Sequence, residues 1–284
     1  MPNIDDLFKI IKVYRNITPF HRYCNKIKDR FGYWGTKIHK LPVYTDNTLI
    51  NCSLCRVKEL GFRKILWSGG IDSTFIICSY IKAHTPFVVY CDKRSINDGT
   101  LFFEWMKLNN IPIVLYDDIV EVYRERQLLH GDVADLIFSP DEERRTIINN
   151  SLSFYDNMIH IPDRDRLYQQ ILDYGKLLNK PVETNQDIIR LINFGAMYFH
   201  GRDELHYIIF PTHRIESFFD TQEFNNIAYS QFWHRSVKDD KPEMHRFICE
   251  VTQDDRMMWA VYRQGTVIPP RLVRVPDNYK CWQD

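Results

Sequence analysis

Residues 64–75 read Lys64-Ile65-Leu66-Trp67-Ser68-Gly69-Gly70-Ile71-Asp72-Ser73-Thr74-Phe75, and this stretch decides the fold. An apolar strand runs into Ser-Gly-Gly, and an apolar helical pattern follows the Asp-Ser-Thr that comes next. Two adjacent glycines allow the backbone to turn sharply and to approach a ligand closely. The first N–H groups of the helix and its dipole favour an anion there, so the stretch predicts a concave nest for phosphate.

The polar side chains of this stretch refine that prediction. Ser68, Ser73 and Thr74 can add hydroxyl donors. Asp72 does not suit a bare phosphate pocket, but it fits if Mg²⁺ bridges its carboxylate to phosphate oxygens. An ordinary strand–turn–helix junction would show similar residues, with serines and an acidic residue at the helix start. The Walker pattern Gly-x4-Gly-Lys-Ser/Thr is absent from the sequence, which argues against a kinase or GTPase of that type.

The composition is that of a globular protein without a dominant charge. The apolar fraction is 44% and the charged fraction 26%, and 37 Lys and Arg residues balance 37 Asp and Glu residues. The absence of a global basic field makes a nucleic-acid partner the weaker expectation. Seven scattered cysteines and no signal peptide favour a reduced, cytoplasmic protein. No apolar run approaches the roughly 18 residues of a membrane span, so no membrane association is expected.

From residue 63 onward the sequence alternates between strand and helix patterns. The predicted elements are, in order, a strand at 65–67, a helix to about residue 82, a strand at 87–91, a helix at 101–108 and a strand at 111–116. This order predicts an α/β fold with a doubly wound parallel sheet, followed by a helical C-terminal region. The loops after Trp67, Cys91 and Tyr116 would then line a nucleotide site at the carboxyl edge of the sheet.

Two domains are predicted: an N-terminal extension over residues 1–60 and the main domain over 61–284. Apolar residues at helical spacing between Ile4 and Tyr14 predict an amphipathic helix in the extension. A basic and aromatic segment at 23–44 would contact a polyanion or form a solvated segment on the main domain. Cys52 and Cys55 form a Cys-x-x-Cys pair without a second pair at zinc-site spacing.

A second informative stretch runs from His130 to Phe138. Gly131 permits a tight backbone, and Asp132 and Asp135 lie three residues apart before an apolar triplet. If a helix starts at Asp132, both carboxylates project from neighbouring positions, where they could hold Mg²⁺ and handle a proton. Acidic residues favoured by a helix dipole would look the same.

The first stretch resembles the Ser-Gly-Gly-x-Asp-Ser loop of the N-type ATP pyrophosphatases, or PP-loop enzymes. This superfamily includes asparagine, GMP and NAD synthetases, argininosuccinate synthetase and tRNA-modifying relatives. The resemblance implies that the chain cleaves ATP between the α and β phosphates, adenylates a substrate and releases pyrophosphate. The residues that it implies for binding ATP or pyrophosphate are Trp67, Ser68, Gly69, Gly70, Asp72, Ser73, Cys91 and Gly131.

The second stretch is similar to the Ser-Gly-x-Gly-x-Asp-Glu-Leu-Phe motif of the asparagine synthetase class. His130 stands for the serine, Gly131 for the first glycine and Asp135 for the metal-binding aspartate. The resemblance implies that Asp72 and Asp135 share Mg²⁺. It also implies that the acid at Asp132 helps proton transfer as an amine attacks the acyl adenylate.

Later segments are similar to the same class in the same order. Residues 214–224 resemble its Arg-Val-Pro-Phe-Leu-Asp segment, with Ser217 in the place of proline. Lys241 to Arg246 is similar to its Lys-x-x-Leu-Arg helix, with one residue more between lysine and arginine. The resemblance implies that Lys241 stabilises the phosphates and the developing charge. Residues 262–266 are similar to its closing Arg-x-Lys-x-Gly-Phe segment, with Gln264 in the place of the lysine.

The glutaminase half of a glutamine-dependent asparagine synthetase is not expected here. The chain opens Met1-Pro2-Asn3 rather than with a catalytic cysteine, and a 60-residue extension is too short for a glutaminase domain. The amine would then be ammonia, the product of a separate glutaminase, or an amino group carried by a small-molecule substrate.

The sequence as a whole therefore predicts an AMP-forming carbon–nitrogen ligase that uses ATP and Mg²⁺ to join a carboxylate and an amine. Two alternatives stay open. One is a PP-loop enzyme that modifies a nucleobase or tRNA, for which the basic segment and the cysteine pair would matter. The other is a non-catalytic module that binds a nucleotide.

Overall fold

The structure is a computed structural model, and it describes residues 42–122, 125–131, 134, 138, 164–179, 216–231 and 241–257. These residues fall into two compact units. The sheet unit contains the described residues of 47–131, 216–219 and 241–257, and the helical unit contains the others.

The described strands form one sheet of five parallel strands in the order β3-β2-β1-β4-β5. Their bounds are Arg63–Leu66 for β1, Phe87–Cys91 for β2, Ile113–Leu115 for β3, Leu128–His130 for β4 and Glu216–Ser217 for β5. Ile65 on β1 is in register with Val89 on β2 and Leu129 on β4, which in turn faces Glu216 on β5. The predicted α/β class is confirmed.

The described helices occupy both units. Their bounds are Leu49–Leu60 for α1, Ile71–Lys82 for α2, Lys93–Asp98 for α3, Thr100–Leu108 for α4, Ile119–Val122 for α5, Arg164–Leu177 for α6, Gln222–Gln231 for α7 and Pro242–Thr252 for α8. Helices α6 and α7 belong to the helical unit and the others to the sheet unit.

The predicted elements between residues 64 and 116 are confirmed in kind and order, and they differ from the structure at their ends. The third strand is shorter than predicted because Ile111 donates its N–H to the Met106 carbonyl of α4, 3.0 Å away, instead of to the sheet. Helix α1 lies in the sheet unit, which begins at residue 47. The amphipathic helix predicted near the N-terminus lies outside the described residues.

Local signals explain where several of these helices begin and end. Thr48 caps α1 by accepting the Asn51 N–H at 3.1 Å, and Gly61 ends it with a φ of 61°. Asp92 caps α3 by accepting the Ser95 N–H at 2.7 Å. Gly61 lies two residues before β1 and Asp92 directly follows β2, so the connections at these two points are short.

Buried side chains of the central strands and of α2 and α8 form the core of the sheet unit. Ile65, Val89 and Leu129 are in register, share one face of the sheet and are fully buried. Phe75 of α2 packs against Phe247 of α8, with ring centroids 5.2 Å apart, and against Phe219, 6.0 Å away. Burial of such side chains is worth about 1.5–3 kcal/mol each, so this core holds α2 and α8 firmly on the sheet.

Strand β5 is only two residues long, and a partly buried ion-pair cluster connects it to the rest of the unit. The Glu216 carboxylate accepts from Arg56 of α1 at 2.5 Å and from Arg63 of β1 at 3.3 Å. Arg56 is 4% exposed and Arg63 17% exposed at the side chain. Both arginines form ion pairs with the same carboxylate. These contacts through Glu216 hold β5 in place against α1 and β1.

The helical unit has its own packing. Tyr229 of α7 donates its hydroxyl to the Leu178 carbonyl just beyond α6, at 2.9 Å. Phe138 packs edge-to-face on Phe224 at 6.2 Å, and Thr45 donates its N–H to the Ser230 hydroxyl at 2.8 Å. Among the described residues of the whole chain, no helix is long and apolar enough to cross a membrane.

Candidate functional site

The Ser68-Gly69-Gly70 loop leaves β1 and turns directly into α2. Gly69 has a φ of 76°, a conformation that side-chain-bearing residues rarely adopt. A Cβ at Gly69 would lie 2.5 Å from the Ser95 carbonyl oxygen, and one at Gly99 would lie 2.6 Å from the Trp67 ring. Glycine is therefore required at position 69 both by its backbone angle and by its close packing on the end of α3.

Hydrogen bonds from two side-chain hydroxyls stabilise this loop. Ser73 accepts the Ser68 N–H at 3.1 Å and donates to the Gly70 carbonyl at 3.2 Å. Thr74 donates to the same carbonyl at 2.8 Å and accepts the Trp67 indole N–H at 2.9 Å. The Thr74 hydroxyl therefore supports the loop rather than facing a ligand, while Ser68 stays exposed.

Asp72 and Lys241 form a close ion pair at the start of α2. The Lys241 ammonium donates to both carboxylate oxygens of Asp72, at 2.6 and 2.7 Å. The lysine side chain is 1% exposed and the aspartate side chain 16% exposed. The structure thus brings together two predicted site residues that lie 169 positions apart in the sequence.

Helices α2 and α8 run side by side in the same direction. Three contacts follow one another along both helices: Asp72 with Lys241, Phe75 with Phe247, and Lys82 with Glu250 at 2.9 Å. Their N-termini therefore lie together, and the positive ends of both helix dipoles meet at the ion pair. The Asp72 carboxylate offsets the charge of the ammonium, so the two helix ends are what would favour an anion at this point.

Lys241 itself stands in an unusual place. It is the residue before the first turn of α8, and its φ of 47° and ψ of 48° lie in the left-handed region. A positive side chain at a helix N-terminus opposes the dipole, and a left-handed non-glycine residue costs of order 1–3 kcal/mol. Pro242 at the first helical position begins α8 immediately after it. Such a costly arrangement is typical of a functional position.

Gly131 follows β4 and lies against the start of α2. A Cβ at Gly131 would lie 3.1 Å from the Asp72 Cβ and 3.3 Å from the Ser73 nitrogen. The strand order reverses here, since β2 and β3 lie on one side of β1 while β4 and β5 lie on the other. In open α/β sheets, ligands bind at the carboxyl edge beside such a reversal.

Two further predicted residues contribute to the walls of the core. Trp67 is 1% exposed and packs on Phe102 and Phe103, so only its backbone is available to a ligand. Cys91 is fully buried, and burial together with the nearby Asp92 carboxylate raises the pKa of its thiol to about 12. This thiol stays protonated near neutral pH and is not a nucleophile.

The predicted acid Asp132 and the predicted metal ligand Asp135 lie outside the described residues. Asp72 is the predicted Mg²⁺ ligand that the structure describes. Within the described ranges no group of three His, Cys, Asp or Glu side chains could hold a metal ion. A partly exposed Asp72 carboxylate nevertheless fits Mg²⁺ that arrives with phosphates, because such an ion needs only one or two carboxylates and takes its other ligands from phosphate and water.

Sequence reasoning did not identify the contributions of Gly99 and Glu216. Gly99 allows the close contact with Trp67 and the Gly69 backbone, and its signal is one glycine between two short helices. Glu216 lies within the 214–224 segment that the resemblance covers, but its ion-pair partners lie more than 150 residues away in the sequence.

Comparisons of this chain with family models, with curated proteins and with solved structures found no match.

Proposed function

We propose that this chain is an ATP-dependent, AMP-forming ligase that adenylates a carboxylate and transfers an amine to it. The observation that carries the proposal is the Asp72–Lys241 pair at the joined N-termini of α2 and α8. Beside this pair, two helix ends and a glycine loop favour a polyphosphate at the point where the sheet reverses its strand order.

The phosphate contacts follow from the loop. Backbone N–H groups of Gly69 and Gly70, the exposed Ser68 hydroxyl and the first turn of α2 would surround the β and γ phosphates. Lys241 would supply positive charge to the oxygen that separates from the α phosphate. Stabilisation of this kind by pre-placed charges is usually the largest contribution to the rate.

Magnesium belongs to the same proposal. Asp72 would hold it together with Asp135, a residue proposed from the sequence resemblance. When bound with ATP, Mg²⁺ would neutralise phosphate charge. Asp132 is proposed, also from the sequence, to take a proton from the amine. The doubly wound arrangement is part of the proposal as well, and the strand order β3-β2-β1-β4-β5 supports it.

The chemistry proceeds in two steps. A carboxylate oxygen attacks the α phosphorus of ATP, and pyrophosphate leaves with the electron pair of the broken P–O bond. An amine then attacks the carbonyl carbon of the acyl adenylate, loses a proton and displaces AMP. A small-molecule carboxylate and ammonia or an amino compound are the proposed partners, with a separate glutaminase as a possible source of ammonia.

The test is exchange of labelled pyrophosphate into ATP, with AMP formation followed in parallel. The carboxylates tried are aspartate, glutamate, the other amino acids and small peptides, each with and without ammonia. Exchange that depends on one carboxylate would establish adenylation and identify the acceptor. Tight Mg-ATP binding without exchange for any carboxylate would contradict the ligase and favour a nucleic-acid acceptor or a nucleotide sensor.

A further inference from the structure

We propose that the Ser217 hydroxyl donates a hydrogen bond to the carboxylate of the second substrate, next to the phosphate site. This inference rests on the proposed function and names a residue that selects the acceptor. Ser217 is the last residue of β5, at the carboxyl edge of the sheet.

The hydroxyl of Ser217 is buried and unsatisfied. The residue is 8% exposed, and among the described residues its Oγ has no hydrogen-bond partner. Buried polar atoms almost always have a partner, and one that lacks it reduces stability. A residue that reduces stability in the ligand-free protein is expected where a ligand supplies the missing partner.

The position of Ser217 in the sheet brings it close to the phosphate site. Ser217 faces His130 in register, and Phe218 donates its N–H to the His130 carbonyl at 2.9 Å. Neighbouring strands lie about 4.8 Å apart, and the residue after His130 is Gly131, which contacts Asp72. Ser217 is therefore one strand away from the residue that touches the start of α2.

The strand order gives ATP and the carboxylate substrate different sides of β1. The loops after β2 and β3, on one side of β1, are those that the sequence proposes for the nucleotide. The opposite side of β1 carries β4 and β5, with Ser217 at its end. A carboxylate that attacks the α phosphate from this side would come within reach of the Ser217 hydroxyl.

Ser217 is also held in place before any ligand binds. Its neighbour Glu216 is fixed by Arg56 and Arg63, at 2.5 and 3.3 Å. Successive side chains of a strand point to opposite faces of the sheet. The ion pairs that hold Glu216 on one face therefore also orient the Ser217 side chain on the other face. A hydroxyl fixed in advance loses little entropy on binding, which increases its contribution to selectivity.

The chain offers a matched control in Tyr80. Its side chain is fully buried, and its hydroxyl likewise has no partner among the described residues. Tyr80 lies near the end of α2 and packs on Phe87, the first residue of β2, at 5.6 Å. It therefore carries the same kind of unsatisfied hydroxyl at the amino edge of the sheet, where the charges of Arg63, Arg56 and Glu216 act on it. Ser217 lies at the carboxyl edge.

The experiment compares the wild-type chain with Ser217→Ala and Tyr80→Phe. Melting temperatures are measured without ligand, and calorimetry measures the binding of α,β-methylene ATP with Mg²⁺, then of single amino acids to that complex. Both variants should melt at or above the wild-type temperature, since each loses an unsatisfied buried hydroxyl. Both should bind the nucleotide as the wild type does.

The carboxylate distinguishes the two variants. At least one amino acid should bind the wild type and Tyr80→Phe equally, and Ser217→Ala roughly ten- to hundredfold more weakly, as expected for a lost hydrogen bond to a charged group. Equal affinity for Ser217→Ala would overturn the inference. Nucleotide binding without any amino-acid binding to the wild type would also overturn it, while leaving the proposed ATP site standing. No nucleotide binding at all would refute both.

Discussion

Replacing Asp72 by asparagine should destabilise the sheet unit more than replacing its partner Lys241 by methionine. Asparagine keeps the shape of the side chain but removes the charge that offsets the Lys241 ammonium. That ammonium is 1% exposed, so water cannot take over the role of the carboxylate. Methionine at position 241 removes the buried cation itself and leaves Asp72, 16% exposed, at the start of α2, where the helix dipole favours it.

The magnitudes follow from this difference in exposure. Breaking a buried ion pair from one side costs about 3–5 kcal/mol, and the lower end applies to Asp72→Asn because the pair is not fully sealed from water. Lys241→Met should cost only about 1 kcal/mol, since it leaves no buried charge behind. The double variant should then cost about 1 kcal/mol rather than the sum of about 4, a coupling of about 3 kcal/mol.

The assay is urea unfolding of the four ligand-free proteins, followed by hydrogen exchange at the amides of β1 and β2. Those amides report on the sheet unit by itself, which matters because the described chain contains two compact units. Equal losses for the two single variants, or strict additivity in the double variant, would refute the reasoning. The double variant also supplies a folded control for ligand binding, which the less stable Asp72→Asn variant alone would not.

Three other substitutions or reactions test the loop and its surroundings. Gly69→Ala should lower the free energy of unfolding by at least about 1–3 kcal/mol, because the new Cβ would meet a backbone carbonyl at 2.5 Å in a left-handed conformation; chemical denaturation measures the loss, and a neutral result would contradict the loop geometry. Gly131→Ala should leave the fold intact but weaken nucleotide binding, because its Cβ would press on Asp72 at 3.1 Å; calorimetry with α,β-methylene ATP would show unchanged affinity if this contact does not matter. In the folded protein at pH 8, iodoacetamide should alkylate the exposed Cys55 and spare Cys91, whose thiol pKa is raised to about 12; peptide mass spectrometry would contradict this if both react.

The strand–loop–helix unit was predictable because all its signals are local. The apolar strand pattern, the two glycines and the apolar helical pattern of residues 64–82 lie within one short segment. Helix α2 ends at Lys82, where the pattern placed its end, and β2 has the predicted bounds. The start of α8 after Lys241 was also readable, since Pro242 suits the first helical position.

Features that depend on distant contacts were not predictable in the same way. The Asp72–Lys241 pair joins residues 169 positions apart, and no spacing rule relates them. Periodicity cannot detect β5, because two residues show no alternation. Its position depends on Arg56 and Arg63, which lie early in the chain and whose exposed or buried state the sequence does not reveal.

The central claim is that the Asp72–Lys241 pair marks a site for the phosphates of Mg-ATP. The most direct measurement is the affinity of α,β-methylene ATP for the wild type and for the Asp72→Asn/Lys241→Met double variant, with and without Mg²⁺. We predict Mg²⁺-dependent binding to the wild type and at least about tenfold weaker binding to the double variant, as expected when charged contacts are lost. Equal affinity of the two proteins, with the double variant folded, would contradict the claim.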